Sequence, residues 1–262
     1  MKMKMPEQTE EIADALIFLK NGRTIVVDSP VRIEILQMIM EGEQRFDEIV
    51  KRLGRAKSTV SVHLHDMIED GILAERADES DARRKFLYLD ARYLGTIAAP
   101  GCEIPAGYEN KQILTDSVGP ASVFRLIFNT IRTSLLNSGV NIEPVLFSAG
   151  IRAGNEVAEI VSDSSEEEFL KNLSEFFRAN ELGRITIEQG NPLIITVTDC
   201  YECQDLPKIG RPACSFDCGL LTAVFTRQTG KEVDVTETHC YAAGDPFCRF
   251  EIIRKEKNSP DN

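Results

Sequence analysis

The chain contains no run approaching the roughly 18 consecutive apolar residues that a membrane-spanning helix requires, so a helical membrane protein is excluded. Its first residues, Met1-Lys2-Met3-Lys4-Met5-Pro6, pass into acidic side chains without the apolar core of a secretory leader. The expected location is therefore the cytoplasm. Positive charge is also short: 30 Lys+Arg against 42 Asp+Glu give a formal net charge of −12. Taken whole, such a chain is a poor match for nucleic acid, because phosphate attraction needs a basic face. Histidine is scarce, with three residues. No Gly-rich phosphate loop follows a strand and no Ser-His-Asp arrangement is visible, which disfavours the enzyme classes built on them. Only His239, beside Cys240, has a catalytic-looking neighbour, and a structural role suits it better. There are no internal repeats and no low-complexity tracts.

What the chain does have is apolar content and cysteine. Its 262 residues are 42% hydrophobic and 27% charged, enough to build a sizeable core in one large domain or two ordinary ones. Of seven cysteines, six (Cys200, Cys203, Cys214, Cys218, Cys240 and Cys248) fall within 49 residues. A disulfide framework suits a small secreted chain, whereas clustered cysteines in a reducing compartment point to metal binding or redox chemistry.

Pro100-Gly101, Pro105, Gly107 and Gly119-Pro120 punctuate a stretch with little apolar periodicity. The expected division is a first domain over 1–92, a linker over 93–118, a second domain over 119–255 and a disordered tail over 256–262. The first domain opens with an amphipathic stretch, Glu10 to Lys20, and a short apolar run, Thr24–Val27. Ser29-Pro30 then starts a helix over Val31–Met40, ended by Gly42. A second helix, Phe46–Leu53, is closed by Gly54. A third, Lys57–Glu69, carries Val60, Leu64, Met67 and Ile68 on one face and is stopped by Gly71. Ile72–Glu75 and Lys85–Leu89 read as strands around a polar hairpin tip, Arg76–Arg84. Three helices followed by a hairpin is the winged helix-turn-helix order, in which the third helix offers its free face to the major groove.

Charge by region revises the first impression. Residues 1–95 hold 15 basic and 18 acidic side chains, against 15 and 24 in residues 96–262, so most of the acidity lies outside this domain. Lys51, Arg52, Arg55 and Lys57 form a local basic strip with no acidic residue between Glu48 and Asp66, and the hairpin tip adds Arg83-Arg84-Lys85. Lys57, Ser58, Thr59, Ser61, Val62 and His65 lie off the apolar face of the third helix, where they can reach phosphates or base edges. Arg83 and Arg84 are expected on the DNA backbone. Val62 offers a thymine methyl an apolar contact but no hydrogen bond. His63 and His65, two apart, point to different helix faces and make no metal pair. Ser58-Thr59-Val60-Ser61-Val62-His63-Leu64, followed by Met67 and Gly71-Ile72-Leu73, resembles the third helix and wing entry of ArsR-type winged-helix repressors over about residues 28–90.

The second domain reads as α+β with an antiparallel sheet. Helices are expected over Ala121–Leu136, with Phe124, Ile127, Phe128, Ile131 and Leu135 on one side, over Val145–Val161, Glu166–Phe177 and Cys214–Thr226. Gly150 and Gly154, four apart, allow close backbone packing. Strands are expected over Ile185–Ile187, Leu193–Val197, Glu232–Thr238 and Phe247–Ile253. Cys200 and Cys203 have the spacing of half a metal site or of a reversible disulfide, and Cys218 sits one helical turn from Cys214. Oxidation can link Cys200 to Cys203 or either to Cys218, and the nearby Asp199, Glu202 and Asp205 disfavour thiolate. Glu237 and Cys240 can share a face only if the strand ends or turns between them. Cys102, in the linker, is a candidate for a bridge between subunits.

Pro212-Ala213-Cys214, Gly219-Leu220-Leu221, Val233–Cys240 and Gly244-Asp245-Pro246-Phe247-Cys248-Arg249-Phe250 resemble the vinyl-4-reductase (4VR) domain over about residues 120–254. Such domains are sensor modules, similar in fold to a vesicle-tethering subunit family, and can enclose a small apolar ligand. A winged helix joined to a 4VR domain resembles the methanogen-specific 4VR redox regulators (the MsvR type). That resemblance implies binding of double-stranded promoter DNA by a homodimer, governed by thiol oxidation. From ligand-sensing 4VR regulators it also implies a zinc site at Cys214, Glu237, Cys240 and Cys248, leaving Cys200, Cys203 and Cys218 as redox candidates. The rival expectation is a small-molecule-responsive regulator with purely structural zinc and a pocket lined by Phe124, Phe128 and Phe147.

Overall fold

A computed structural model describes residues 14–77, 85–97 and 119–254, which fall into two compact units, 14–97 and 119–254. Arg83, Arg84, Cys102, most of the expected linker and the expected tail lie outside the described residues.

The first unit begins with a hairpin, β1 (Ala15–Lys20) and β2 (Arg23–Val27), paired from Leu16–Val27 to Lys20–Arg23. Asn21 and Gly22 form the turn with φ of 49° and 76°, the positive-φ pair that two-residue hairpins demand. The end of the stretch read as amphipathic is thus a strand. Helix α1 (Pro30–Glu41) starts on Pro30. The two-residue strand β3 (Gln44–Arg45) leads into α2 (Phe46–Leu53), and Gly54 in the left-handed region ends that helix. Helix α3 (Lys57–Glu69) buries Val60, Leu64 and Met67 against Leu36, Ile39 and Ile49 in the core of the unit. The wing is β4 (Leu73–Ala77) and β5 (Lys85–Leu89), antiparallel, with β3 on the other side of β5. Strand β6 (Arg92–Ile97) pairs with β1, so residues 93–97, expected in the linker, are ordered in this unit instead. Tyr93 anchors them by packing on Phe18, with ring centroids 5.5 Å apart.

The second unit contains α4 (Pro120–Asn137), the short strand β7 (Val140–Asn141), α5 (Glu143–Val161), α6 (Glu166–Ala179), β8 (Arg184–Glu188), β9 (Leu193–Thr198), α7 (Ser215–Thr229), β10 (Val233–His239) and β11 (Cys248–Arg254). Strands β10, β11, β9 and β8 form one antiparallel sheet in that order. Helices α5 and α7 touch backbone to backbone. A Cβ on Gly150 would lie 2.1 Å from the Phe216 carbonyl oxygen, and one on Gly219 equally close to that of Phe147. The glycines therefore set the helix separation, and with it the position of the α7 N-terminus.

Helix α4 reverses the expected orientation. Phe124, Ile127 and Ile131 are more than half exposed. The buried face is Asn129, Arg132, Thr133 and Leu136, spaced at i, i+3, i+4 and i+7. Arg132 supplies the reason: its guanidinium is satisfied in the interior by a set of acceptors described below.

Candidate functional site

The turn after β9 starts at Asp199, held at a φ of 56°. It carries Cys200 and Cys203 back beneath the N-terminus of α7, where Cys214 precedes the first helical residue. Strand β10 has a register irregularity between Glu237 and His239 and then ends, so Glu237 and Cys240 face the same group, as their spacing required. Cys248 enters from the start of β11, opposite Val197. Six cysteines are buried with free thiols.

Five of them converge. Cys200 Sγ lies 3.7 Å from Cys214 Sγ, Cys214 Sγ 3.9 Å from Cys240 Sγ and 3.7 Å from Cys248 Sγ, and Cys203 Sγ 3.1 Å from Cys248 Sγ. The donor atoms of Cys214, Glu237, Cys240 and Cys248 lie within 4.8 Å of one another, and so do those of Cys200, Cys203, Cys214 and Cys248. The residues read separately as metal ligands and redox candidates thus share one centre. Cys218, although buried, belongs to neither group.

The surrounding polar groups are organised around α7. Glu202, fully buried between the two turn cysteines, accepts the backbone N–H of Phe216 at 3.0 Å and of Asp217 at 2.9 Å, capping the helix. Arg132 Nη1 approaches Glu202 Oε1 at 3.4 Å, and its Nη2 donates to Glu143 Oε1 at 2.6 Å and to the Ala213 carbonyl. Asp205 pairs with Arg125 and Asp199 with Arg184. The three carboxylates near the CxxC pair therefore each have a cationic partner, which weakens the expectation that they disfavour thiolate. No motif or spacing singles out Arg132, an isolated cation within an otherwise apolar helix.

Glu237 Oε2 accepts the Cys214 N–H at 2.9 Å, while its Oε1 is buried without a hydrogen-bond partner. Asp217 Oδ2 is 3.7 Å from Cys200 Sγ, and its Oδ1 is likewise unpartnered. Thiolates plus an unsatisfied buried carboxylate oxygen are the donor set that zinc accepts, and the residues present fit that group. Hydrogen bonds from Cys203, Cys214 and Cys248 hold the Cys200 and Cys240 thiols well below their ordinary range, against the effect of burial. Hydrogen bonding with Cys200 instead pushes Cys203 and Cys248 up. Burial raises Cys214, Cys218, Asp217 and Glu237, and lifts Glu202 to about 8 against the pull of Arg132.

In the first unit, Lys57, Ser58, Thr59, Ser61, Val62 and His65 are all exposed on α3. Arg45, Arg52, Arg76 and Lys85 are each paired with a glutamate. Among the described residues Lys51 and Arg55 make no ion pair, and Lys57 has a loose one, 3.7 Å from Asp47.

A groove of about 390 Å³ lies between α4 and the end of α6, lined by Phe124, Arg125, Leu182 and Tyr201 among others. Of the three phenylalanines expected to line a pocket, only Phe124 does so. Phe128 belongs to an aromatic cluster with Tyr201 and Phe216, and Phe147 packs into the core beside α7.

An exposed winged-helix face and a separate module with a buried thiol centre define a class: a DNA-binding transcription regulator carrying a domain suited to sensing. The model of the arsR family of bacterial regulatory proteins matches residues 29–75, and that of the vinyl-4-reductase (4VR) domain matches residues 193–254, which hold all six clustered cysteines. The uncharacterized protein MJ1642 of Methanocaldococcus jannaschii is 30% identical over 142 residues, 54% of this chain and 81% of that protein. MJ0855 of the same organism, also uncharacterized, is 23% identical over 222 residues, 84% of this chain and 86% of its own length. A crystal structure of a vinyl-4-reductase family protein from M. jannaschii aligns with a TM-score of 0.37 and 16% identity, covering 56% of this chain and 89% of the other. The chain belongs to the 4VR-domain family, with an ArsR-family helix-turn-helix at its N-terminal side. No described helix is long and apolar enough to cross a membrane.

Proposed function

We propose that this protein is a homodimeric regulator whose grip on double-stranded promoter DNA changes when thiols of its 4VR domain are oxidised. The observation that carries the reading is the 3.1 Å approach of Cys203 Sγ to Cys248 Sγ inside a group of five free thiols. Joining two thiols releases two protons and two electrons. With a peroxide as oxidant, its O–O bond breaks and two waters leave as the S–S bond forms. Cys203 is the central redox residue, with Cys248 as first partner and Cys200 as the alternative. Cys218 lies outside the reacting group.

Cys214, Glu237, Cys240 and Cys248 are the residues to hold zinc, which when bound supplies the positive charge that keeps thiols ionised. A Cys203–Cys248 disulfide would withdraw Cys248 from that set. The turn carrying Cys203 also carries Glu202, which Arg132 ties to α4. The exposed stripe Phe124, Ile127 and Ile131 on α4 is suited to a second copy of the chain. Strain at the thiols can thereby reach the dimer seam. Half-sites lie roughly 34–36 Å apart per helical turn of DNA, so a small rotation between protomers spoils simultaneous docking. On DNA, Lys57, Ser58, Thr59, Ser61, Val62 and His65 face the major groove, and Arg83 and Arg84 the backbone.

A gel-shift titration of anaerobically reduced and peroxide-treated protein tests the reading. The expected result is different affinity in the two states, a difference lost in Cys203→Ser and kept in Cys218→Ser. Equal affinity in the fully reduced and fully oxidised wild type would sink it. The groove beside Tyr201 favours a second reading, a regulator that binds a small apolar molecule while zinc stays structural. Native mass spectrometry showing a retained organic ligand, together with redox-insensitive DNA binding, would select it.

A further inference from the structure

We infer that the thiol centre binds two thiophilic divalent cations bridged by the sulfurs of Cys214 and Cys248. This rests on the metal reading of Cys214, Glu237, Cys240 and Cys248 given above and adds a second ion to it. A four-coordinate ion uses four donors, and the centre offers six: five thiols and Glu237. They divide into two sets of four that have only Cys214 and Cys248 in common. Cys200 and Cys203 complete one set, Glu237 and Cys240 the other.

Geometry supports both sets. Metal–sulfur bonds of about 2.3 Å in a tetrahedron place sulfurs about 3.8 Å apart. The shared edge Cys214–Cys248 is 3.7 Å, the Cys200–Cys214 edge of the first set is 3.7 Å, and the Cys214–Cys240 edge of the second is 3.9 Å. Only Cys203–Cys248, at 3.1 Å, is shorter, and it needs to open by a fraction of an ångström. Two tetrahedra sharing one edge are the arrangement of a thiolate-bridged pair of ions.

The carboxylates give an independent indication. Each side of the centre has one buried carboxylate oxygen with no hydrogen-bond partner: Glu237 Oε1 on the Cys240 side and Asp217 Oδ1 on the Cys200 side. A buried, unsatisfied carboxylate oxygen is costly unless a cation or donor faces it. One ion held by the Glu237 set leaves the Asp217 side unanswered, and a second ion at Cys200 and Cys203 accounts for it.

The test is metal stoichiometry on the full chain, reduced and loaded anaerobically with cadmium. Absorption from thiolate-to-cadmium charge transfer is expected to saturate at two equivalents per chain. Cadmium-113 NMR of the wild type is expected to show two resonances coupled to each other through the shared sulfurs, a readout that needs no variant. Replacing Cys200 and Cys203 with serine should lower saturation from two equivalents to one, and Cys218→Ser should leave it at two. Saturation at one equivalent, or two resonances without mutual coupling, overturns the bridged pair and leaves the single-site reading standing. A wild type that binds no cadmium overturns both.

Discussion

Arg132 and Glu202, 70 residues apart in sequence, form an ion pair with both side chains essentially removed from solvent, Nη1 to Oε1 at 3.4 Å. Glu202 sits between Cys200 and Cys203 and caps α7, so one guanidinium connects α4 to both elements that build the thiol centre. Removing it leaves two carboxylates, Glu202 and Glu143, without their cation. Arg132→Met should destabilise the protein by about 3–5 kcal/mol, the range for breaking one side of a buried pair. Urea unfolding followed by circular dichroism measures this, and a loss below about 1 kcal/mol would show the pair to be dispensable.

The contact between α5 and α7 makes a sharper prediction about packing. An added methyl on Gly150 or Gly219 meets a carbonyl oxygen at 2.1 Å, so the helices must separate to admit it. Gly150→Ala and Gly219→Ala should each cost at least about 1–3 kcal/mol, the usual scale of overpacking. Because α7 positions Cys214, both should also speed alkylation of the buried thiols. Gly119→Ala is the control: a Cβ there meets nothing within 4 Å, and its effect should stay within about 0.5 kcal/mol.

These residues also mark how far the sequence could be read. Helices α2 and α3 run over the expected residues because Gly54, Gly71 and the spacing of Val60, Leu64 and Met67 are local signals. Gly150 and Gly154 were legible as a close-packing pair, but their partner Gly219 was not, since contact across a helix pair leaves no mark in either segment alone. The hairpin at Asn21-Gly22 carried its turn signal in plain view, but the apolar run Ala15–Leu19 lacks the polar alternation of a half-buried strand. On α4, apolar periodicity assigns burial to Phe124, Ile127 and Ile131, whereas Glu202, Glu143 and the Ala213 carbonyl draw Arg132 inward. The cysteines divided into two sets by motif and spacing. Only the fold of the 199–206 turn places Cys200 and Cys203 beside Cys214 and Cys248.

Tyr93 gives the first unit a pH signature. Burial against Phe18 pushes its hydroxyl up to about 12. Below about pH 10 the phenol is protonated in both folded and unfolded chains, and the contribution is intact. Between about pH 10 and 12 the unfolded chain ionises while the folded one keeps its proton, so the unfolded state binds fewer protons and stability falls as pH rises. Above about pH 12 both forms are ionised and the loss levels off. Urea midpoints from about pH 9 to 12 should therefore decline less steeply in Tyr93→Phe than in the wild type. Parallel curves would place the alkaline sensitivity elsewhere.

The reading helix separates affinity from sequence preference. Lys57 and Asp47 are both largely exposed and 3.7 Å apart, a pair too weak to hold the lysine against a phosphate. Arg55, with no ion-pair partner among the described residues, is equally available. If each neutralises one phosphate, Lys57→Ala and Arg55→Ala should each reduce the slope of log affinity against log salt by about 0.9 and weaken all DNA sequences alike. Val62, 58% exposed on the same helix, bears no charge and cannot alter that slope. Its methyls can contact a thymine methyl in the major groove. Val62→Ala should therefore leave the salt slope unchanged and relax preference at one base position of the operator. Fluorescence anisotropy with the operator and its single-base variants, repeated across a salt series, checks both. A Val62→Ala protein that loses affinity uniformly, or a Lys57→Ala protein with an unchanged slope, would remove α3 from the DNA interface in this orientation.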